Sequence, residues 1–196
     1  MLIIKHRINT LQKLKKLEIN FGAEIDIRSN NNELIISHEP FYRGEKLITW
    51  LSLFRHKFII FNIKEEGIEF ELKKLIKKFK IKRYFLLDQS FPFYISNLRI
   101  FGRKSSIRIS EYEGIEKAVK LRQFTRWLWL DHFSDFPLTS TNIKKLKLLN
   151  FKFCVVSPEL VNPSNIYKKI NLIKNRFEEA DVNIDAVCTK TPDYWT

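Results

Sequence analysis

The chain has 196 residues, 44% of them hydrophobic and 29% charged, and 35 Lys and Arg against 22 Asp and Glu leave a net charge of +13. This composition, close to the globular average and carrying 17 Phe, 6 Tyr and 4 Trp, excludes a disordered chain, a collagen-like chain and a disulfide-stapled miniprotein. Length, together with the lack of a Gly/Ser linker or low-complexity tract, predicts one globular domain over residues 1–196. No stretch approaches the roughly 18 apolar residues of a membrane span. The N-terminus meets charge at Lys5, too early for a signal peptide. Cys154 and Cys188 each sit inside an apolar run and read as buried thiols of a reducing compartment, so a cytoplasmic protein is expected.

In chain order, two hydrophobic periods alternate. Leu2–Lys5 reads as a strand, and Leu11, Leu14 and Leu17 then form a helical stripe with Lys13, Lys15 and Lys16 beside it. Ala23–Ile27 is a second strand. The polar run 29–32 reads as a turn, and Leu34, Ile35 and Ile36 return the chain toward the same end. Phe58–Ile63 is the third main strand, followed by a helical stripe of Leu72, Leu75, Ile76 and Phe79. Tyr84–Leu87, Ile107–Ile109 and Trp127–Leu130 continue the strands. Ile143, Leu146 and Leu149 precede the strand Phe153–Val156, and Ile166, Ile170, Ile173 and Phe177 precede the strand Ala186–Cys188. Strands that alternate with helices imply parallel βαβ units, because a parallel pair needs a crossover long enough to hold a helix. Eight such strands predict an α/β protein, a compact (β/α)8 TIM barrel with short loops. An open doubly wound sheet is the alternative.

A barrel of this kind keeps its chemistry at the carboxyl ends of its strands. His6 and Arg7 close the first strand. Glu24 and Asp26, two residues apart, put both carboxylates on one face of the second, where they repel unless a cation sits with them. Ion pairing to Arg28 is the plainer account of that pair. His38 and Glu39 follow the returning segment, Asn62 and Lys64 close the third main strand, Asp88 the fourth and Asp131 the sixth. Asp88 and Asp131 also suit helix caps. His56 and His132 read as ordinary surface or loop histidines. Trp127 and Trp129 read as core packing, and Tyr194 and Trp195 as a cover or pocket lining.

The order His6-Arg7, Asn9-Thr10 opening a helix, Gly22-Ala23-Glu24-Ile25-Asp26 and His38-Glu39-Pro40 resembles the glycerophosphodiester phosphodiesterase family of phospholipase-C-like barrels. The likeness continues through Lys64, Gln89-Ser90-Phe91 and Asp185–Thr189 to Pro192. It implies a metal-assisted phosphodiesterase acting on a glycerophosphodiester or a related lipid or alkyl phosphodiester. His6 and His38 would be its general acid and base, and Arg7 would hold the phosphate while Lys64 steadies developing charge. Glu24, Asp26 and Asn62 would ligate one divalent cation, Mg2+ or Ca2+. Asn62 stands where the family commonly has an acid, and Glu39 where it has Asp. The first loop is short, and no large insertion follows the second strand, which predicts an open site. These residue types suit the chemistry: histidine transfers protons near neutrality, and the arginine fork matches two phosphate oxygens.

The alternative function is a degenerate barrel that binds a phosphorylated ligand without turnover. The surplus lysines, such as Lys73, Lys74, Lys77 and Lys78, fall opposite the apolar stripes as a solvated face. Their functional alternative is a salt-sensitive, peripheral contact with an anionic membrane or a polyphosphate. No nucleic-acid partner is expected, since no nucleic-acid-binding module is recognisable.

Overall fold

The computed structural model describes residues 1–195. The chain divides into two compact units, Ile4–Leu98 and a second formed by Met1–Ile3 with the residues from Arg99 onward.

The first unit is built on one long strand. β1 (Leu2–Lys5) enters it, α1 (Leu11–Lys16) follows, and β2 (Gly22–Asn30) then lies parallel to β1, with Ile4 opposite Gly22. Gly22 fits a tight approach there. A Cβ would stand 3.0 Å from the carbonyl oxygen of Phe58 and 3.1 Å from the Ile4 side chain. β2 then outruns its neighbours and folds back as a hairpin onto β3 (Glu33–Ile36), pairing Ile27 with Ile36 and Asn30 with Glu33. Asn31 and Asn32 make that turn with φ of 48° and 63°, the left-handed backbone that asparagine tolerates. β4 (Glu45–Lys46) adds antiparallel to β3, and α2 (Leu47–Leu53) follows it. On the other side of β2 lie β5 (Ile59–Ile63) and β6 (Tyr84–Leu87), both parallel, joined by α3 (Glu69–Lys78). Acidic Glu69 and Glu71 open α3, and Lys77 and Lys78 close it, as the helix dipole favours. α4 (Phe91–Ser96) ends the unit, capped by the Ser90 hydroxyl.

The core of this unit comes from alternate faces of buried strands. β5 is buried along its whole length, and Ile25, Ile27, Phe85 and Leu87 are buried beside it. Trp50 of α2 stacks on Phe54 and donates its indole N–H to the carbonyl of Ile8 at 3.0 Å, tying the helix to the chain just after β1.

In the second unit, α5 (Leu98–Phe101) leads into β7 (Ser106–Ile109), α6 (Glu116–Lys120), β8 (Trp127–Leu130), α7 (Ser140–Leu148) and β9 (Lys152–Val156). α8 (Ile166–Glu179) and β10 (Ala186–Thr189) complete it. β7, β8, β9 and β10 are parallel in that spatial order. Asp185 links the start of β10 to its surroundings, its carbonyl accepting from Leu2 N–H and its carboxylate from Phe153 N–H. Cys154 and Cys188 are buried in β9 and β10, as the apolar runs around them imply.

All eight expected strands and the four expected helices are present. Sequence reasoning did not register β4, α2, α4, α5 and α6. They are short, and α2 and α4 lack the charged face that makes a helical stripe visible.

Candidate active site

The expected site residues all fall in the first unit. The two-residue period of β2 puts Glu24 and Asp26 on one face, and both are buried. The parallel register of β2 and β5 sets Asn62 opposite Asp26, so the three side chains form a single cluster.

The segment after β1 crosses the face of β2. Arg7 takes a left-handed backbone, φ 52°, and aims its N–H at Glu24 Oε2 at 2.7 Å. Asn9 and Asp26 clasp each other: the Asn9 amide donates to Asp26 Oδ2 at 2.7 Å, and the Asp26 N–H donates to Asn9 Oδ1 at 3.1 Å. Thr10 then caps α1 by accepting from Lys13 N–H. The segment between β1 and α1 is thereby fixed with His6 Nε2 4.0 Å from Glu24 Oε2 and Arg7 Nε 3.8 Å from Asp26 Oδ2.

Lys64 follows β5 and places its ammonium 3.4 Å from Asp26 Oδ1 and 3.8 Å from Asp88 Oδ2. Asp88 follows β6 with φ 58°, a left-handed position at the strand end. The ion pair with Lys64 brings it into the cluster. His38 lies beyond β3, where Ser37 N–H donates to the Asp26 carbonyl. Its Nδ1 meets Glu39 Oε1 at 2.5 Å, and this bond, together with the imidazole charge, holds the Glu39 carboxyl below its ordinary range. Glu39 therefore orients the ring through Nδ1.

Arg28 does not pair with Glu24 or Asp26 as the plainer reading of β2 expected. Its Nε and Nη2 donate to the carbonyl of His38, both at 3.2 Å, and its Nη1 donates to the carbonyl of Lys64 at 3.0 Å. One guanidinium thus ties together the backbones that carry two of the site side chains. Asn9 and Arg28 are the positioning residues that sequence reasoning did not assign to the site. Their only signal was placement: Asn9 precedes a helix cap, and Arg28 lies two residues past Asp26 on the same strand face.

Burial and mutual repulsion set the electrostatics of the carboxylate pair. Burial, then the neighbouring Asp26 carboxylate, pushes the Glu24 carboxyl up to about 7. Asn62 donates its amide N–H to Glu24 Oε1 at 3.0 Å, and its own Oδ1 is buried without a hydrogen bond. Among the described residues no three His, Cys, Asp or Glu side chains gather into one group. A divalent ion would therefore use Glu24, Asp26 and that orphaned amide oxygen, a hard oxygen set of the kind Mg2+ and Ca2+ take.

The polar strand ends of the second unit have structural partners of their own. Asp131 pairs with Arg108 at 3.0 Å. Glu111 accepts the N–H groups of Phe133, Ser134 and Asp135, which bring its carboxyl down to about 2. His132 is not a surface histidine. It is 3% exposed, directly after β8, with Nε2 3.2 Å from the Val156 carbonyl. Trp129 is buried as expected. Trp195 covers β9, donating its indole N–H to the Ser157 hydroxyl.

No family model matches the sequence, and no curated protein matches it. Solved structures do. A glycerophosphodiester phosphodiesterase from Agrobacterium tumefaciens superposes at a TM-score of 0.67 and 11% identity, covering 100% of this chain and 99% of that one. One from Parabacteroides distasonis gives 0.63 at 15% identity, over 97% of this chain and 93% of that one. A glycerophosphoryl diester phosphodiesterase from the same organism gives 0.62 at 13% identity, over 98% and 84%. The chain has the fold of these proteins, the (β/α)8 barrel that its strand–helix alternation predicts.

Proposed function

We propose that this chain is a divergent, compact member of the glycerophosphodiester phosphodiesterase family that hydrolyses a phosphodiester with the help of one divalent cation, Mg2+ or Ca2+. The observation that carries this reading is the gathering of His6, Arg7 and Lys64 around the buried pair Glu24 and Asp26, within 4.0 Å of one or other carboxylate.

Each side chain has a task that its position suits. Arg7, half-exposed, presents a guanidinium that binds two phosphate oxygens in plane. Lys64 adds a second fixed positive charge where negative charge grows on the phosphoryl oxygens. His38, oriented by Glu39 through Nδ1, has Nε2 to give or take a proton, and His6 acts on the opposite partner of the reaction. Glu24, Asp26 and Asn62 would hold the cation, which when bound supplies Lewis-acid polarisation of a phosphoryl oxygen. Arg28 and Asn9 keep these groups in register.

The second reading, a barrel that binds a phosphorylated ligand without turnover, is favoured by Asn62, which brings an uncharged amide to the cluster and turns its N–H to Glu24. Hydrolysis of glycerophosphocholine, glycerophosphoethanolamine and a chromogenic diester, with Mg2+, Ca2+ or chelator, decides between the two. Turnover that needs the cation and falls by about 10²–10⁴ in both His6→Ala and His38→Ala is the expected result. Calorimetric binding of the cation, lost in Asp26→Ala, is the readout independent of activity. Absence of turnover on every diester selects the binding reading.

A further inference from the structure

We propose that the second unit carries a phosphate-binding cavity of its own, at the amino ends of β7, β8 and β9. There Arg103, Arg122 and Arg126 take a small, multiply charged phosphate, either a free phosphate or diphosphate or the phosphomonoester end of an organic molecule. None of these residues belongs to the cluster of the first unit, and the site does not depend on the phosphodiesterase reading.

Strand register brings the three arginines together. Ser106, Trp127 and Lys152, the first residues of β7, β8 and β9, stand opposite one another in the parallel sheet. The chain entering each strand therefore reaches the same edge. Arg103 lies on the turn Gly102–Lys104 before β7, Arg126 directly before β8, and Asn150 two residues before β9. Arg122 and Gln123 follow α6 on the way to β8. All five line one cavity of about 270 Å3. The backbone beneath them is tied down. Thr125, 2% exposed, donates its hydroxyl to the carbonyl of Ser105 at 2.7 Å, joining the segment before β8 to the one before β7. The N–H of Lys152 donates to the carbonyl of Arg126 at 2.8 Å, joining it to β9. The arginine stems thus leave from a framework set before any ligand arrives.

The charge at this edge is unbalanced. Residues 98–109, 117–130 and 136–158, which form these strands and the chain leading into them, hold twelve Lys and Arg and no Asp or Glu. Arg108, Lys117 and Lys147 pair with acids from outside those segments or from β8's carboxyl end. Arg103, Arg122 and Arg126 form no ion pair among the described residues, and no carboxylate lines the cavity. The Arg122 guanidinium donates to the carbonyl of Val119 at 3.3 Å, which occupies one of its five N–H groups. Three like charges around one small space repel, and a multivalent anion relieves that repulsion. Planar guanidinium forks match phosphate oxygens in pairs, and Gln123 and Asn150 add neutral amide donors. The cavity is smaller than the roughly 300–1,000 Å3 of ordinary ligand pockets, as a phosphate-sized occupant requires. No aromatic ring lines it, so it offers no stacking surface for a nucleic-acid base.

The test is calorimetry of the full chain with inorganic phosphate, diphosphate and ethyl phosphate, in an Arg7→Ala background that removes the phosphate contact proposed for the first unit. One diphosphate per chain, bound more weakly as salt is raised, is expected. Arg103→Gln, Arg122→Gln and Arg126→Gln should each weaken it roughly tenfold, the loss of a charged hydrogen bond. Lys77→Gln removes the same charge from the exposed face of α3 and should leave binding unchanged. Melting temperatures without ligand should stay those of the parent chain. Ethyl phosphate bound more tightly than inorganic phosphate would identify an organic phosphomonoester as the ligand, and the reverse order a free phosphate. No anion bound at millimolar concentration would overturn the proposal, as would arginine variants that bind like the parent or a Lys77→Gln chain that loses as much. A short single-stranded oligonucleotide that displaces diphosphate at lower concentration would also overturn it, by making the arginines part of a nucleic-acid surface.

Discussion

Arg28 grips the main-chain carbonyl of His38 with two of its nitrogens, both at 3.2 Å, and reaches the carbonyl of Lys64 with the third. No other side chain in the first unit bridges two residues of the cluster through their backbones in this way among the hydrogen bonds described. The guanidinium is suited to it, having a rigid fork that satisfies both acceptors without a second conformer.

Arg28→Gln is therefore expected to lose about 1–3 kcal/mol of stability, since charged hydrogen bonds are removed and two half-buried carbonyls are left bare. Arg28→Lys recovers only one of the three bonds and should remain closer to Gln than to Arg. Denaturant titration gives the stability change. Broadening of the His38 ring resonances in the Gln variant, with the His56 resonances unchanged, would separate loss of positioning from general loosening. Sharp, wild-type His38 resonances would refute the positioning role.

Asn62 sets the charge of the cation site. Asn62→Asp adds a carboxylate beside Glu24 and Asp26 and removes the amide hydrogen bond to Glu24. Divalent-cation affinity should rise by about tenfold, while the metal-free protein should become less stable, because three buried carboxylates then repel. Calorimetry with Mg2+ and Ca2+ measures the first effect and melting in chelator the second. An unchanged affinity would mean that the position contributes no ligand.

Gly44→Ala should destabilise the fold by about 1–3 kcal/mol, the usual result of forcing atoms into a filled space. The added Cβ would overlap the Ile36 carbonyl, so the β3–β4 pair must part for it to fit. His38 sits inside the loop that this pair closes. Hydrogen exchange of the β3 amides is the direct check, and faster exchange in the variant is expected.

His132 provides a pH dependence. Burial holds its pKa below the ordinary 6.5, against the upward pull of the Val156 carbonyl, Asp131 and Glu111, with Lys169 adding to the downward shift. Below pH about 6.5 the unfolded chain takes up a proton that folded His132 refuses, so this residue's contribution to stability declines with acidification until its folded pKa is reached. His132→Gln should flatten the pH profile of the melting temperature over that window. A profile identical to the wild type would show that His132 protonates freely in the folded state.

Much of the fold was legible because a strand's buried face and a helix's apolar stripe are written at spacings of two and of three to four residues. β1, β6 and β8 match the expected boundaries to the residue. The hairpin turn at Asn31 and Asn32 was visible for the same local reason. β4, α2 and α4 were not, being too short or too uniformly apolar to show a period.

The sequence by itself determined which residue types stand at the strand ends, and the period of β2 already put Glu24 beside Asp26. Only the tertiary structure decided their partners. Asn9 meets Asp26 across 17 positions, Asn62 meets Glu24 across 38, and Arg28 reaches Lys64 across 36. Those contacts arise from strand register and loop closure, which no local period encodes. The same holds for Phe41: its hydrophobicity is plain in the sequence, but its exposure follows from a β3–β4 loop closed by Gly44 and Arg28. Burial of His132 was hidden likewise, because a polar residue after a strand is buried or exposed according to what packs over it.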